Sequence, residues 1–159
     1  MCYAYIVLHS HYDDLDELLT RIHVARQRPG WRRRLLEESG PVTSVTTLRV
    51  LRAVERCQQV GGASVRDVAE YMAIEQSTAS RTVAAVVASG LLTKTSATDD
   101  QRRCVLVLTD VGRKALAEVT DRRRELVAET IADWPDADVD TLVSLLGRLA
   151  QRFERGSAV

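Results

Sequence analysis

Ser64-Val-Arg-Asp-Val-Ala-Glu-Tyr-Met72, a three-residue link, then Gln76-Ser-Thr-Ala-Ser-Arg-Thr-Val-Ala-Ala-Val-Val-Ala-Ser89 and Gly90 decide the fold. Ser64 stands where an N-cap belongs, and Asp67 suits the positive end of the helix dipole three residues on. Val65, Val68, Ala69 and Met72 recur at three- and four-residue steps and share one face. The second segment reads as a helix over about 76–89 whose small face is Ala79, Val83, Val86 and Val87, with Gly90 ending it. Its leading face carries Gln76, Ser77, Thr78, Ser80 and Arg81. Short hydrogen-bonding side chains and an Arg at the start of a helix match what the DNA major groove accepts: Gln can pair with adenine, Arg with guanine, and Thr can touch a thymine methyl. A solvated helix start rich in Ser and Thr would have the same composition.

The residues that follow favour the first reading. Leu91-Leu-Thr-Lys-Thr95 is strand-like and carries Lys94. Ser96 to Arg103 is a charged turn, and Cys104-Val-Leu-Val-Leu108 reads as a buried strand, after which Thr109 caps another helix. Helix, turn, helix and hairpin in this order make a winged helix-turn-helix. Arg102 and Arg103 at the hairpin tip suit the narrow minor groove. Asp100 is spaced to hold Arg102 extended.

Residues 64–113 resemble the MarR (multiple antibiotic resistance regulator) family. The likeness rests on Ser77-Thr-Ala-Ser-Arg81, Gly90-Leu91, Asp100-x-Arg102 and Leu108-Thr109-x-x-Gly112, and extends more loosely over Asp13 to Phe153. It implies a homodimeric, DNA-binding transcription regulator, a repressor or an activator, that responds to a small molecule or oxidant. Two residues depart from the family's usual pattern: Ala73 stands in place of a turn Gly, and Glu75 in place of a Ser just before the recognition helix. Glu75 is expected near DNA phosphate.

The whole chain fits this size class. Its 159 residues allow one domain, or a compact DNA-binding domain with a dimerisation region. A 45% hydrophobic content with 4% aromatics fits a helical core of Leu, Val and Ala. The net charge of +0 gives no global attraction to nucleic acid, so any DNA affinity must come from sorting basic and acidic groups onto different surfaces. No apolar run reaches the roughly 18 residues of a membrane span, and Met1 to Leu8 lacks a basic start and a cleavage site, so a cytoplasmic protein is expected. The odd cysteine count, with Cys2, Cys57 and Cys104, argues against a disulfide framework, and their spacing fits no zinc finger. Cys57 and Cys104 read as buried structural thiols; Cys2 as an oxidant sensor stays open.

Residues 1–12 read as an N-terminal extension. His9 and His11, beside Asp13-Asp14, would share a side only on an extended backbone, and no metal is assigned to them. Asp13 to about Gln27 reads as a helix with an apolar stripe of Leu15, Leu18, Leu19, Ile22 and Ala25. Pro29-Gly30 interrupts it, and a second piece covers Trp31 to Ser39, where the family has one long dimerisation helix. Ser44 or Thr43 caps a helix over about 45–59 whose inward residues are Val45, Leu48, Leu51 and Val54 to Cys57. After the wing, a long helix covers about 110–133. Its apolar stripe is Val111, Leu116, Val119, Leu126, Val127 and Ile131. A last helix covers about 139–154, with Leu142, Leu145, Leu146, Leu149 and Phe153 on one face.

The expected fold is therefore mainly α with a small β-hairpin wing: a winged helix-turn-helix over 44–109 and a helical dimerisation region over 13–43 and 110–154. The expected function is sequence-specific DNA binding as a homodimeric repressor on a pseudo-palindromic operator, modulated by an effector. The alternative is a winged-helix module for protein contacts. The DNA-binding set is Gln76, Ser77, Thr78, Ser80, Arg81, Lys94, Arg102 and Arg103, with Asp100 as wing support. The effector pocket is placed at Tyr12, His23, Trp31, Leu48 and Arg52. No catalytic residue, cofactor or metal is expected: the sequence has no Ser/His/Asp set, no phosphate-binding glycine loop, and all three histidines lie in the first 23 residues.

Overall fold

A computed structural model describes residues 2–37, 40–58, 62–96 and 104–156, with the backbone alone at residues 2–9. The elements in chain order are α1 (Cys2–Gln27), α2 (Pro29–Leu36), α3 (Val45–Gln58), α4 (Val65–Met72), α5 (Gln76–Ala88), β1 (Leu92–Ser96), β2 (Cys104–Leu108), α6 (Asp110–Thr130) and α7 (Asp136–Gly156). The chain divides into two compact units, Met1–Arg123 and Arg124–Val159.

In the first unit α3 is the central helix. It packs on α4, α5 and β2, which is why its burial exceeds a single stripe: Leu48, Val50, Leu51, Ala53 and Val54 are all buried. A helix covered on several sides loses the narrow periodicity on which sequence reading relies. Val68, Ala69 and Met72 of α4 and Ala79, Val83 and Val86 of α5 complete this core from the expected faces.

The wing is an antiparallel pair in the register Leu92↔Leu108 to Ser96↔Cys104. A third short edge joins it, where the Leu106 N–H donates to the Ala63 carbonyl at 2.7 Å. This edge explains why Val105 and Leu106, neighbours that point to opposite faces, are both buried. Gly62, at φ +98°, brings the chain so close that a Cβ there would lie 3.1 Å from Val105 Cγ1.

Three expectations need correction. The helix read from Asp13 begins at Cys2, so the extension over 1–12 is helical from residue 2 onward. The extended backbone that would bring His9 and His11 to one side is therefore absent. Cys104 is exposed and Cys57 half-buried rather than both lying inside. Cys104 opens its strand opposite Ser96, beyond the reach of the core. Val111 and Val127, read as inward on α6, are exposed, whereas Leu116, Val119 and Leu126 are buried as expected.

The break in the first long helix is real. Arg28 is extended (φ −61°, ψ 144°), and Pro29 opens α2 at a position where its missing N–H has no consequence. The stripe on α1 is exposed, with Leu15, Leu18 and Ile22 at 41%, 49% and 55%. In the second unit α7 has no buried residue at all, and its face of Leu142, Leu145, Leu146 and Phe153 is open to solvent.

Candidate nucleic-acid interface

The helix-turn-helix is fixed by local chemistry at each end. The Asp67 N–H donates to Ser64 Oγ at 3.2 Å, while the Asp67 carboxylate accepts from the Ser64 N–H at 2.7 Å, a reciprocal box that satisfies two otherwise unpaired donors. At the other end Ala73 adopts the left-handed conformation (φ 53°, ψ 51°), and its N–H closes the helix on Glu70 O at 3.2 Å. That is the backbone a turn Gly adopts without strain, so Ala73 holds the expected geometry against its own side chain. Arg49 reaches across from α3 and donates to the Met72 carbonyl at 2.8 Å, satisfying another open end of α4.

The next helix turns Ala79, Val83 and Val86 inward and leaves Gln76, Ser77, Thr78, Ser80 and Arg81 exposed. At about 100° per residue, Ser77 and Arg81 then point directly away from the core, with Ser80 and Thr78 to either side. Glu75 is the N-cap of α5 and its side chain makes no capping bond, so a carboxylate stands exposed at the start of the helix. Lys94 is exposed on β1, in register with Leu106. Asp100, Arg102 and Arg103 lie outside the described residues.

The exit of the wing is tied to the end of α5. Gly90 is at φ +75°. The Thr109 N–H donates to Leu91 O at 3.1 Å, and its hydroxyl donates to Gly90 O at 2.7 Å. Thr109 Oγ1 in turn accepts the Gly112 N–H at 3.0 Å. A Cβ at Gly112 would meet Leu91 O at 2.1 Å. The Leu108-Thr109-x-x-Gly112 signature thus records where α6 crosses the backbone at the foot of the wing.

A separate cleft of about 340 Å³ in the first unit brings together His23, Trp31, Leu48 and Arg52 from the anticipated effector set. Tyr12 does not line it and is 67% exposed. On a continuous helix it sits 11 residues, or roughly 16 Å, before His23. Arg26, Arg49 and Arg123 also line the cleft, alongside apolar Leu19, Ile22 and Leu35. These arginines could not be anticipated from sequence, because each comes from a different helix. Burial pulls the Arg52 guanidinium below its ordinary value, partly countered by Tyr71 and Glu55. Its Nη2 donates to Thr120 Oγ1 at 3.4 Å.

Among the described residues no cluster of His, Cys, Asp and Glu is arranged to hold a metal ion. Among the same residues no helix is long and apolar enough to cross a membrane.

Comparison with known proteins agrees with this geometry. The sequence model of the MarR family matches residues 43–103, from just before the central helix to just short of the second wing strand. Over that stretch the chain is similar to the MarR family. An uncharacterized HTH-type transcriptional regulator of Bacillus subtilis, YxaD, is 26% identical over 100 residues, covering 63% of this chain and 70% of its own. A MarR family protein from Bacillus stearothermophilus shares the fold at a TM-score of 0.75 and 20% identity, over 92% of this chain and 97% of its own. CouR from Rhodococcus jostii RHA1, solved with p-coumaroyl-CoA bound, does so at 0.65 and 24%, over 87% and 93%. The chain shares its fold with these solved structures.

Proposed function

We propose that the protein is a homodimeric repressor that binds a pseudo-palindromic operator and leaves it when an effector binds. The observation that carries this is the exposed face of α5. From Gln76 to Arg81 it offers only hydrogen-bonding side chains and one guanidinium, with no carboxylate, while Ala79 turns inward. Gln76, Ser77, Thr78, Ser80 and Arg81 are the groove-reading residues in this account. Lys94, Arg102 and Arg103 are the wing's backbone and minor-groove contacts, and Asp100 supports Arg102.

In this reading residues 44–109 are the DNA-binding part, and 13–43 with 110–154 are the dimerisation region. The open apolar faces of α1 and α7 support a twofold partner. MarR-family regulators act as dimers, and repression is typical of them.

The effector occupies the cleft of His23, Trp31, Leu48 and Arg52. Arg26, Arg49, Arg52 and Arg123 line it with apolar side chains and no carboxylate, so its ligand is an anion with an apolar body. The similar CouR, solved with p-coumaroyl-CoA, is a precedent in this fold for a bound ligand of that kind.

The test is to incubate the purified protein with fragmented genomic DNA and sequence what it retains. Enrichment of a few fragments sharing an inverted repeat supports the reading. Retention of no duplex would replace it with the protein-contact reading; uniform retention would remove sequence-specific control.

A further inference from the structure

A second groove, of about 460 Å³, runs between the segment that enters α3 and the flank of α5. Thr43, Ser44, Thr46 and Thr47 form one wall; Arg81 and Thr82 stand on the other. No carboxylate lines it, although the chain has as many acidic as basic residues.

The hydroxyls divide into used and unused donors. Ser44 Oγ and Thr47 Oγ1 pair at 2.9 Å, and Ser44 Oγ also takes the Thr47 N–H at 3.0 Å. The Thr82 hydroxyl donates to Thr78 O at 2.8 Å. The side chains of Thr43, Thr46 and Arg81 are exposed and enter no hydrogen bond among the described residues. Two hydroxyl donors and one guanidinium thus border an open groove free of negative charge. A tetrahedral oxyanion accepts from such a set, and water satisfies it when the anion is absent.

We propose that this groove seats a backbone phosphate of the DNA strand flanking α5, held by Thr43, Thr46 and Arg81. The inference rests on the reading of α5 as the DNA-reading helix and extends the interface to a segment that precedes the helix-turn-helix by some twenty residues. Arg81 belongs to both surfaces: it starts on the outward face of α5 and lines the groove. A phosphate held there fixes how far α5 enters the major groove, and the contact carries no sequence information of its own.

The experiment titrates the full chain with a duplex selected from genomic fragments and with a scrambled duplex of equal length, across a salt series. Thr46→Glu places a carboxylate against the phosphate, and both duplexes should bind at least about tenfold more weakly. Thr46→Lys adds a cation, and both should bind more tightly, with the slope of log K against log salt steeper by about one. Circular dichroism melts confirm that each variant is folded. The proposal is overturned if both folded variants titrate the two duplexes like the parent. It is equally overturned if Thr46→Glu weakens the selected duplex alone, since the contact would then be to a base. A parent chain that binds neither duplex removes the DNA-binding reading itself, and this proposal with it.

Discussion

Replacing Gly112 by Ala tests the packing that positions the wing. The new Cβ would lie 2.1 Å from the Leu91 carbonyl oxygen, whereas carbon–oxygen contacts normally sit at about 3.3 Å or more. Backbone on both sides must therefore separate by more than about 1 Å, because neither partner is the flexible end of a side chain. Leu91 O accepts the Thr109 N–H, and Thr109 Oγ1 bridges Gly90 O and the Gly112 N–H. Each of these bonds contributes about 1 kcal/mol net, and forced overpacking costs about 1–3 kcal/mol more. The helix gains roughly 0.5–1 kcal/mol from Ala over Gly, which leaves a net loss of about 3 kcal/mol. Thermal melting at matched protein concentration should then fall by about 6–12 °C. Gly147→Ala, inside α7 with nothing within 4 Å of the new Cβ, is the control and should be neutral or stabilising by up to about 1 kcal/mol. If Gly112→Ala melts with the parent while Gly147→Ala behaves as stated, the close approach of α6 to the wing is wrong.

Ala73→Gly should stabilise the chain by about 1 kcal/mol in urea unfolding, since Gly relieves the left-handed strain at φ 53°; no change would mean the turn is not strained. Glu75→Gln should tighten binding to selected and scrambled duplexes alike, several-fold at low salt, because it removes an exposed carboxylate from the start of α5; weaker binding to the selected duplex alone would make Glu75 a base reader. Burial and the nearby Asp67 raise the Cys57 thiol, so at pH 8 less of it is thiolate. Peptide mapping after brief alkylation should find Cys104 modified well before Cys57; the reverse order would contradict the burial of Cys57.

The helix-turn-helix half was legible because its rules are local. Ser64 with Asp67, the small face of α5, Gly90 and Thr109 act within one or two turns of themselves, and each sits as read. The central helix was read only in part, since Val50 and Ala53 are buried by elements distant in sequence. Cys104 was misplaced because a strand's hydrophobicity does not say where along it the core ends. The start of α1 was missed because Tyr3, Tyr5, His9 and His11 interrupt any single stripe, and helix continuity there does not depend on one. The cleft was legible in part: His23, Trp31, Leu48 and Arg52 line it as expected and Tyr12 does not, while Arg26, Arg49 and Arg123 converge only through the tertiary arrangement. Gly112 shows the reverse. Its place in a recognisable pattern was plain from the sequence, and the reason, a backbone crossing at Leu91, required coordinates.

The most direct measurement is fluorescence anisotropy of Arg81→Ala against the selected and the scrambled duplex at physiological salt. The parent should bind the selected duplex tightly and in a salt-dependent manner, and the variant's preference for it over the scrambled one should fall by at least about tenfold at an unchanged melting temperature. An Arg81→Ala protein that keeps the parent's full preference, or a parent with no preference to lose, would contradict the DNA-reading role of α5.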